Sequence, residues 1–175
     1  MILKAARIGH PILRTKASPV DPAEIKTAEF RRLLDDMIET MREYDGVGIA
    51  ATQVHVAKRA AVLEVSGEHP RYPDAPNIPL QILINPEILE CSNAIEEDWE
   101  GCLSVPGLRG RVPRAKEIRV RALDENGGEL EFTAADFHAR IIQHECDHLE
   151  GLVYLDRMTD LKSLSFLEEF RRFNP

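Results

Sequence analysis

Residues 144–148 read His-Glu-Cys-Asp-His, and the run before them, Asp136-Phe137-His138-Ala139-Arg140-Ile141-Ile142-Gln143, reads as helix. An α-helix turns about 100° per residue, so positions four apart stack on one face. His144 and His148 therefore project side by side, one turn apart, in reach of a single metal ion. Glu145 stands next to that stripe. It can touch a water on such a metal without being a ligand, which is the arrangement a metal-assisted hydrolase needs. A solvated, charged helix with two incidental histidines would spell the same letters. Against that reading, Phe137 and Ile141 share the histidines' stripe, so the face begins apolar and turns inward. A buried histidine needs a partner, and a metal is one.

Bulk properties narrow the rest. A chain of 175 residues is expected to form one domain over 1–175, large enough for a core. A formal net charge of −8 argues against specific DNA binding or any nucleic acid held on a broad basic surface. No run approaches the roughly 20 apolar residues of a membrane span, and no apolar stretch of signal length opens the sequence. Three cysteines, at 91, 102 and 146, make no disulfide framework and suit a reducing cytosol.

Along the chain, Asp21-Pro22 can start a helical turn. A helix follows to about Tyr44, with Phe30, Leu33, Leu34, Met37, Ile38 and Met41 recurring at three and four, and Gly46 is a plausible C-cap. The run Gly46-Val47-Gly48-Ile49-Ala50-Ala51 fits Gly-x-Gly-x-x-Ala, but it follows a helix rather than a strand, so a dinucleotide site is not expected. Its small residues suit close backbone approach to a ligand, and Gln53 offers an amide donor. Strands are expected over 59–65, at 80–84 with a stop at Asn85-Pro86, over 87–93 and 94–99, and over 117–123 and 129–133 around the turn Asn126-Gly127-Gly128. Pro70, Pro73, Pro76 and Pro79 mark a surface loop, and Pro113 an edge or a break. The motif helix spans about 135–150 with Gly151 as C-cap. A last amphipathic helix is expected over 159–173, with Leu161, Leu164, Leu167 and Phe170 on one stripe. The order gives an α+β fold of mostly antiparallel sheet around a central metal-binding helix, with a helix towards each end.

A catalytic metal site wants three protein ligands and one open position. A third histidine is not available at the metalloprotease spacing, where Tyr154 stands. Glu168 lies about where a zinc endopeptidase places its third ligand, but Glu168-Glu169 reads more simply as a solvated face. Cys102, in Glu100-Gly101-Cys102-Leu103-Ser104, offers a thiolate that suits zinc or iron, or is a small buried hydrophobe like Cys91 and Cys146.

The three stretches 46–53, 100–104 and 144–148, in this order, resemble the motifs of the peptide deformylase family, type 1 bacterial and organellar group. The resemblance implies hydrolysis of the N-formyl group from formyl-methionyl nascent chains, with release of formate. It implies Cys102, His144 and His148 as ligands of one divalent metal, ferrous iron in the cell, with zinc, nickel or cobalt as substitutes. It further implies Glu145 as general base and acid, with Gln53 and the Leu103 N–H stabilising the oxyanion. Val47, Gly48, Gly101, Phe137, Ile141 and Arg109 are expected to contact substrate, with Arg140 at the rim or in solvent. Glu100 and Asp147 are expected behind the site or in contact with substrate, with Asp147 equally readable as a structural ion-pair partner. A deformylase-like paralogue with altered substrate is the other reading of the same motifs. A bacterial, cytoplasmic, monomeric enzyme near the ribosomal exit is expected.

Overall fold

The stripe Phe30, Leu34, Met37, Ile38 and Met41 is buried on one helix, α2 (Ala28–Glu43), as its spacing predicts. Thr27 caps it by accepting from the Phe30 N–H at 3.2 Å. One preceding turn, α1 (Pro22–Ile25), is capped by Asp21 with Pro22 in its first positions. Gly46 is not the helix stop: Asp45, at φ 50°, takes the left-handed position that the glycine was expected to fill. Gly46 serves close packing instead, since a Cβ there would stand 3.2 Å from both Leu103 Cδ1 and Met41 O.

This computed structural model describes residues 1–67, 69, 72 and 75–174. Pro70 and Pro73 of the expected surface loop lie outside the described residues. Strands β1 (Gly48–Ala50), β2 (Ala60–Val65), β3 (Ile78–Cys91), β6 (Glu117–Leu123) and β7 (Glu129–Ala135) form one antiparallel sheet in the order β1-β2-β3-β6-β7. Strands β4 (Ile95–Cys102), β5 (Val105–Ala115) and β8 (Ser165–Phe166) form a second. Helix α3 (Asp136–Leu149) buries Ala139, Ile141 and Ile142 with Leu83, Ile118 and Val120 of the larger sheet. Gly151, at φ 77°, ends α3 as expected, and a Cβ there would meet the backbone of Arg14 at 2.8 Å. The fold is α+β with antiparallel sheets, and no helix among the described residues is long and apolar enough to cross a membrane.

Three local expectations change. Asn85-Pro86 does not stop a strand: β3 runs through it, with a register shift between Ile84 and Glu87 and Asn85 at φ 52°. A bulge absorbs the pair, and the Asn85 side chain accepts from Val20 N–H (2.8 Å) and donates to Val20 C=O (2.9 Å). Pro113 keeps the edge position its residue type suggests, in a stretch of β5 that pairs with β4 alone, since β8 reaches only Leu108 and Arg109. The last helix, α4, covers only Leu167–Phe173, and Leu161 is exposed. Ser165 and Phe166 satisfy their backbone as β8 against β5 instead. Cys91 is exposed, so it is not the buried filler expected, whereas Cys146 is partly buried and packs against the larger sheet's core.

Candidate active site

Three sequence-distant segments meet at α3. The tight return between β4 and β5, where Cys102 pairs with Val105, carries Cys102, Leu103 and Ser104. A 3-10 turn at Ala51–Val54 carries Gln53. The N-terminal arm ties the two together, because Ala6 N–H donates to Gln53 C=O (2.7 Å) and Ile8 N–H to Ser104 C=O (2.8 Å).

Cys102 Sγ lies 3.2 Å from His148 Nε2, which lies 3.2 Å from His144 Nε2. The three donor atoms all fall within 4.8 Å of one another. Glu168 is exposed on α4, away from this group. Burial opposes ionisation of the Cys102 thiol, but His148 and His144 overcome it and hold the thiol well below its ordinary value. Burial alone would likewise lower His144; the Cys102 and Glu100 charges instead raise it well above the usual imidazole range. Positive charge is thus favoured between the donors, where a cation can take the place of the shared proton. One thiolate and two imidazoles suit zinc or ferrous iron, and three protein donors leave a position open.

Glu145 is 4% exposed and its Oε2 has no hydrogen-bond partner among the described residues. Burial pushes its carboxyl up to about 7, against the opposing pull of His144 and His148. A buried carboxyl near neutrality suits proton transfer in both directions. Gly48 makes the room for it, since its missing Cβ would crowd the Glu145 carboxylate.

Behind His144 lies a buried charge network. Glu100 accepts from His144 Nδ1 (2.8 Å), from Arg114 Nε (2.9 Å) and Nη2 (3.0 Å), and from Arg140 Nη1 (2.9 Å). Arg114 Nη1 also donates to Asp147 (2.5 Å), which Arg157 Nη2 reaches from the other side at 2.6 Å. Burial opposes the Glu100 charge, but Arg114 and His144 hold the carboxyl well below the usual range. A carboxylate on the outer ring nitrogen fixes which nitrogen faces the centre. Arg140 lines the cleft but is buried rather than solvated, and it also donates to Val112 C=O (2.8 Å) and Glu96 C=O (2.7 Å).

A cleft of about 470 Å³ of empty space opens beside the donors. It is lined by Val47, Gly48, Gln53, Gly101, Leu103, Phe137, Ile141 and Glu145. Gln53 Nε2 points at Cys102 Sγ (3.5 Å) and Ser104 Oγ (3.2 Å), and its Oε1 accepts from Ala50 N–H (2.9 Å). Arg109 does not line this cleft; it lines an adjoining groove. Tyr72 and Trp99 in the cleft, and Arg114 in the network behind His144, were not expected. Tyr72 packs on Phe137 with ring centroids 5.0 Å apart, and only long-range folding brings that loop residue to α3. Arg114 had a legible signal in its alternation with buried Val112.

Three convergent donors with an open side, and an unpartnered buried carboxyl beside them, define a metal-dependent hydrolase centre. The polypeptide deformylase family model matches residues 2–164. The peptide deformylase of Leptospira biflexa is 44% identical over 168 residues, covering 96% of this chain and 94% of that one. Peptide deformylase 1 of Bordetella pertussis is 46% identical over the same shares. Among solved structures, the Met-Ala-Ser-bound class I type b peptide deformylase of Acinetobacter baumannii superposes with TM-score 0.87 at 42% identity, covering 90% of this chain and 99% of that one. The Thermotoga maritima enzyme superposes with TM-score 0.81 at 34% identity, over 91% and 99%. The chain belongs to the polypeptide deformylase family. Its activity is the metal-dependent removal of the N-formyl group from nascent chains.

Proposed function

We propose that Cys102, His144 and His148 hold one divalent metal and that Glu145 moves the protons of the reaction. The observation that carries this assignment is the convergence of Cys102 Sγ and the two Nε2 atoms beside the unpartnered Glu145 carboxyl. A divalent metal held by Cys102, His144 and His148 would supply Lewis acidity for activating a water and a carbonyl. Glu145 takes the proton of the attacking water and delivers it to the departing amine, so that formate and a free N-terminus leave. As the formyl oxygen gains charge, the Gln53 amide and the Leu103 N–H donate to it, each worth about 2.7–4 kcal/mol in comparable sites.

The methionine side chain enters the cleft between Phe137 and Ile141, and the backbone at Val47-Gly48 and Gly101 pairs with the peptide in strand fashion. The Acinetobacter baumannii relative binds Met-Ala-Ser, a peptide of the kind such hydrolysis leaves, which supports this placement. From the motif resemblance we take ferrous iron as the metal in the cell, while the donor set itself also accepts zinc, nickel and cobalt. We read the chain as a single-domain monomer of the bacterial cytoplasm that meets formyl-methionyl chains near the ribosomal exit.

Formate release from formyl-Met-Ala-Ser tests the assignment, using protein purified without oxygen and Glu145→Ala beside it, with bound metal measured in both. Turnover in the wild type, lost in a variant that keeps its metal, is the expected result. Full metal without wild-type turnover overturns it.

A further inference from the structure

A second groove, with about 1850 Å³ of empty space, adjoins the metal-side cleft, and Cys102 and Leu103 line both. Lys4, Arg7, His10, His55 and Arg109 line this groove, and none of the described lining residues is acidic. In a chain of net charge −8 that concentration runs against the average. Lys4 and Arg7 are exposed, and neither forms an ion pair among the described residues.

Arg109 adds an independent sign. It is 4% exposed, its Nε has no acceptor, and no carboxylate pairs with it among the described residues. Its guanidinium lies 4.8 Å from the Tyr72 ring centroid and 5.4 Å from that of Phe170. Aromatic faces hold the group in place while no carboxylate among the described residues matches its charge. A buried guanidinium without a counter-ion is costly, and its planar fork fits an oxyanion at two points.

We infer that this groove receives the part of the substrate that follows formyl-methionine, and that it favours chains carrying Asp or Glu there. The inference rests on the deformylase reading above. A peptide whose formyl end lies at the donors is already anchored beside Leu103, the residue both cavities share. Its next residues therefore reach the groove without a separate binding event. A phosphate backbone would also match the guanidinium, but it has no such anchor in the cleft.

The test compares formyl-Met-Ala-Ser-Asp-Asp, formyl-Met-Ala-Ser-Asn-Asn and formyl-Met-Ala-Ser-Lys-Lys on the metal-loaded enzyme. At low ionic strength the Asp-Asp peptide is expected to show a KM about fivefold below Asn-Asn, the upper range for an exposed ion pair. Lys-Lys lies above both, and about 0.5 M salt removes the differences. In the Lys4→Gln, Arg7→Gln double variant the Asp-Asp to Asn-Asn ratio moves towards one. Equal KM values with all three peptides turned over overturn the inference and leave the deformylase reading standing. No turnover of any peptide overturns the deformylase reading. Anisotropy of labelled Met-Ala-Ser-Asp-Asp against the Asn-Asn peptide then decides the groove alone, and equal affinities sink it. Salt-sensitive binding of an oligouridylate that the Asp-Asp peptide fails to displace also overturns it, in favour of a nucleic acid.

Discussion

A Cβ on Gly48 would stand 2.9 Å from Cδ and 3.0 Å from Cγ of Glu145, so the β1 backbone and the carboxylate share one space. The strand can approach α3 this closely only because residue 48 has no side chain. Gly48→Ala must push the carboxylate aside. Misplacement of a reacting group by about 1 Å can lower the rate about a hundredfold. We expect kcat for formyl-Met-Ala-Ser to fall by about that factor while metal content stays at the wild-type level. A Gly48→Ala enzyme with unchanged kcat would show that Glu145 has room to spare.

Arg114 bridges Glu100 and Asp147 in the dry interior, with only 5% of its side chain exposed. Removing one member of a buried ion network leaves the others short of a partner and costs about 3–5 kcal/mol. Arg140 and Arg157 still hold the two carboxylates, so Arg114→Met should lie near 3 kcal/mol, a fall in Tm of about 10 °C. Glu100 would also grip His144 less firmly, and metal affinity should drop about tenfold. Melting curves and a competitive chelator titration on the same samples check both.

Two surface carboxylates anchor the N-terminal arm. Lys16, then Arg59, lower Glu150 from its ordinary value; burial opposes the lowering of Asp156, but its bond from Arg14 prevails. Both titrate lower folded than unfolded. Their contribution is therefore complete above about pH 4 to 4.5, the unfolded values, and is lost as pH falls through the lower folded ones. The Ala17 N–H, bonded to Leu149 C=O at 2.8 Å, reports on the arm. Its hydrogen-exchange protection should hold from pH 7 to 5 and fall below pH 4 before that of Val62. Simultaneous loss at both amides would mean the arm has no separate opening.

The cysteines should separate by reactivity. Cys91 is exposed, whereas burial pushes the Cys146 thiol up to about 12. The thiolate is the reactive form. With metal bound, a maleimide at pH 7 should label Cys91 first, and Cys91→Ser should abolish the fast phase. Chelation should then expose Cys102 as a second fast site. Peptide mapping after timed quenching distinguishes the three.

What the sequence makes legible is what short-range geometry determines. The stacking of His144, His148, Phe137 and Ile141 follows from helical spacing alone, and the structure keeps it. Gln53, Cys102 and Leu103 became legible through motif resemblance, since nothing local in residues 46–53 or 100–104 says that they meet. The misses are cases where a distant partner decides. Asn85-Pro86 looks like a strand stop until Val20 arrives to take both polar ends of the Asn85 amide. Leu161 and Leu164 continue a helical stripe, yet Ser165 and Phe166 find strand partners in Arg109 and Leu108 and the helix starts later. Arg140 reads as a solvent residue because its acceptors, Glu100 and two carbonyls, come from the other sheet.

The bond between Cys102 and His148 spans 46 residues of sequence, and that between Gln53 and Cys102 spans 49. No fragment of the chain can gather the donors before α3 has packed against both sheets. A metal therefore cannot seed this fold as it does in a zinc finger, where closely spaced ligands collapse around the ion. It acts as a late reward: it binds only the finished structure and deepens that state by mass action. Metal supply should accordingly set how long a folded molecule lasts while leaving the rate at which it first folds unchanged.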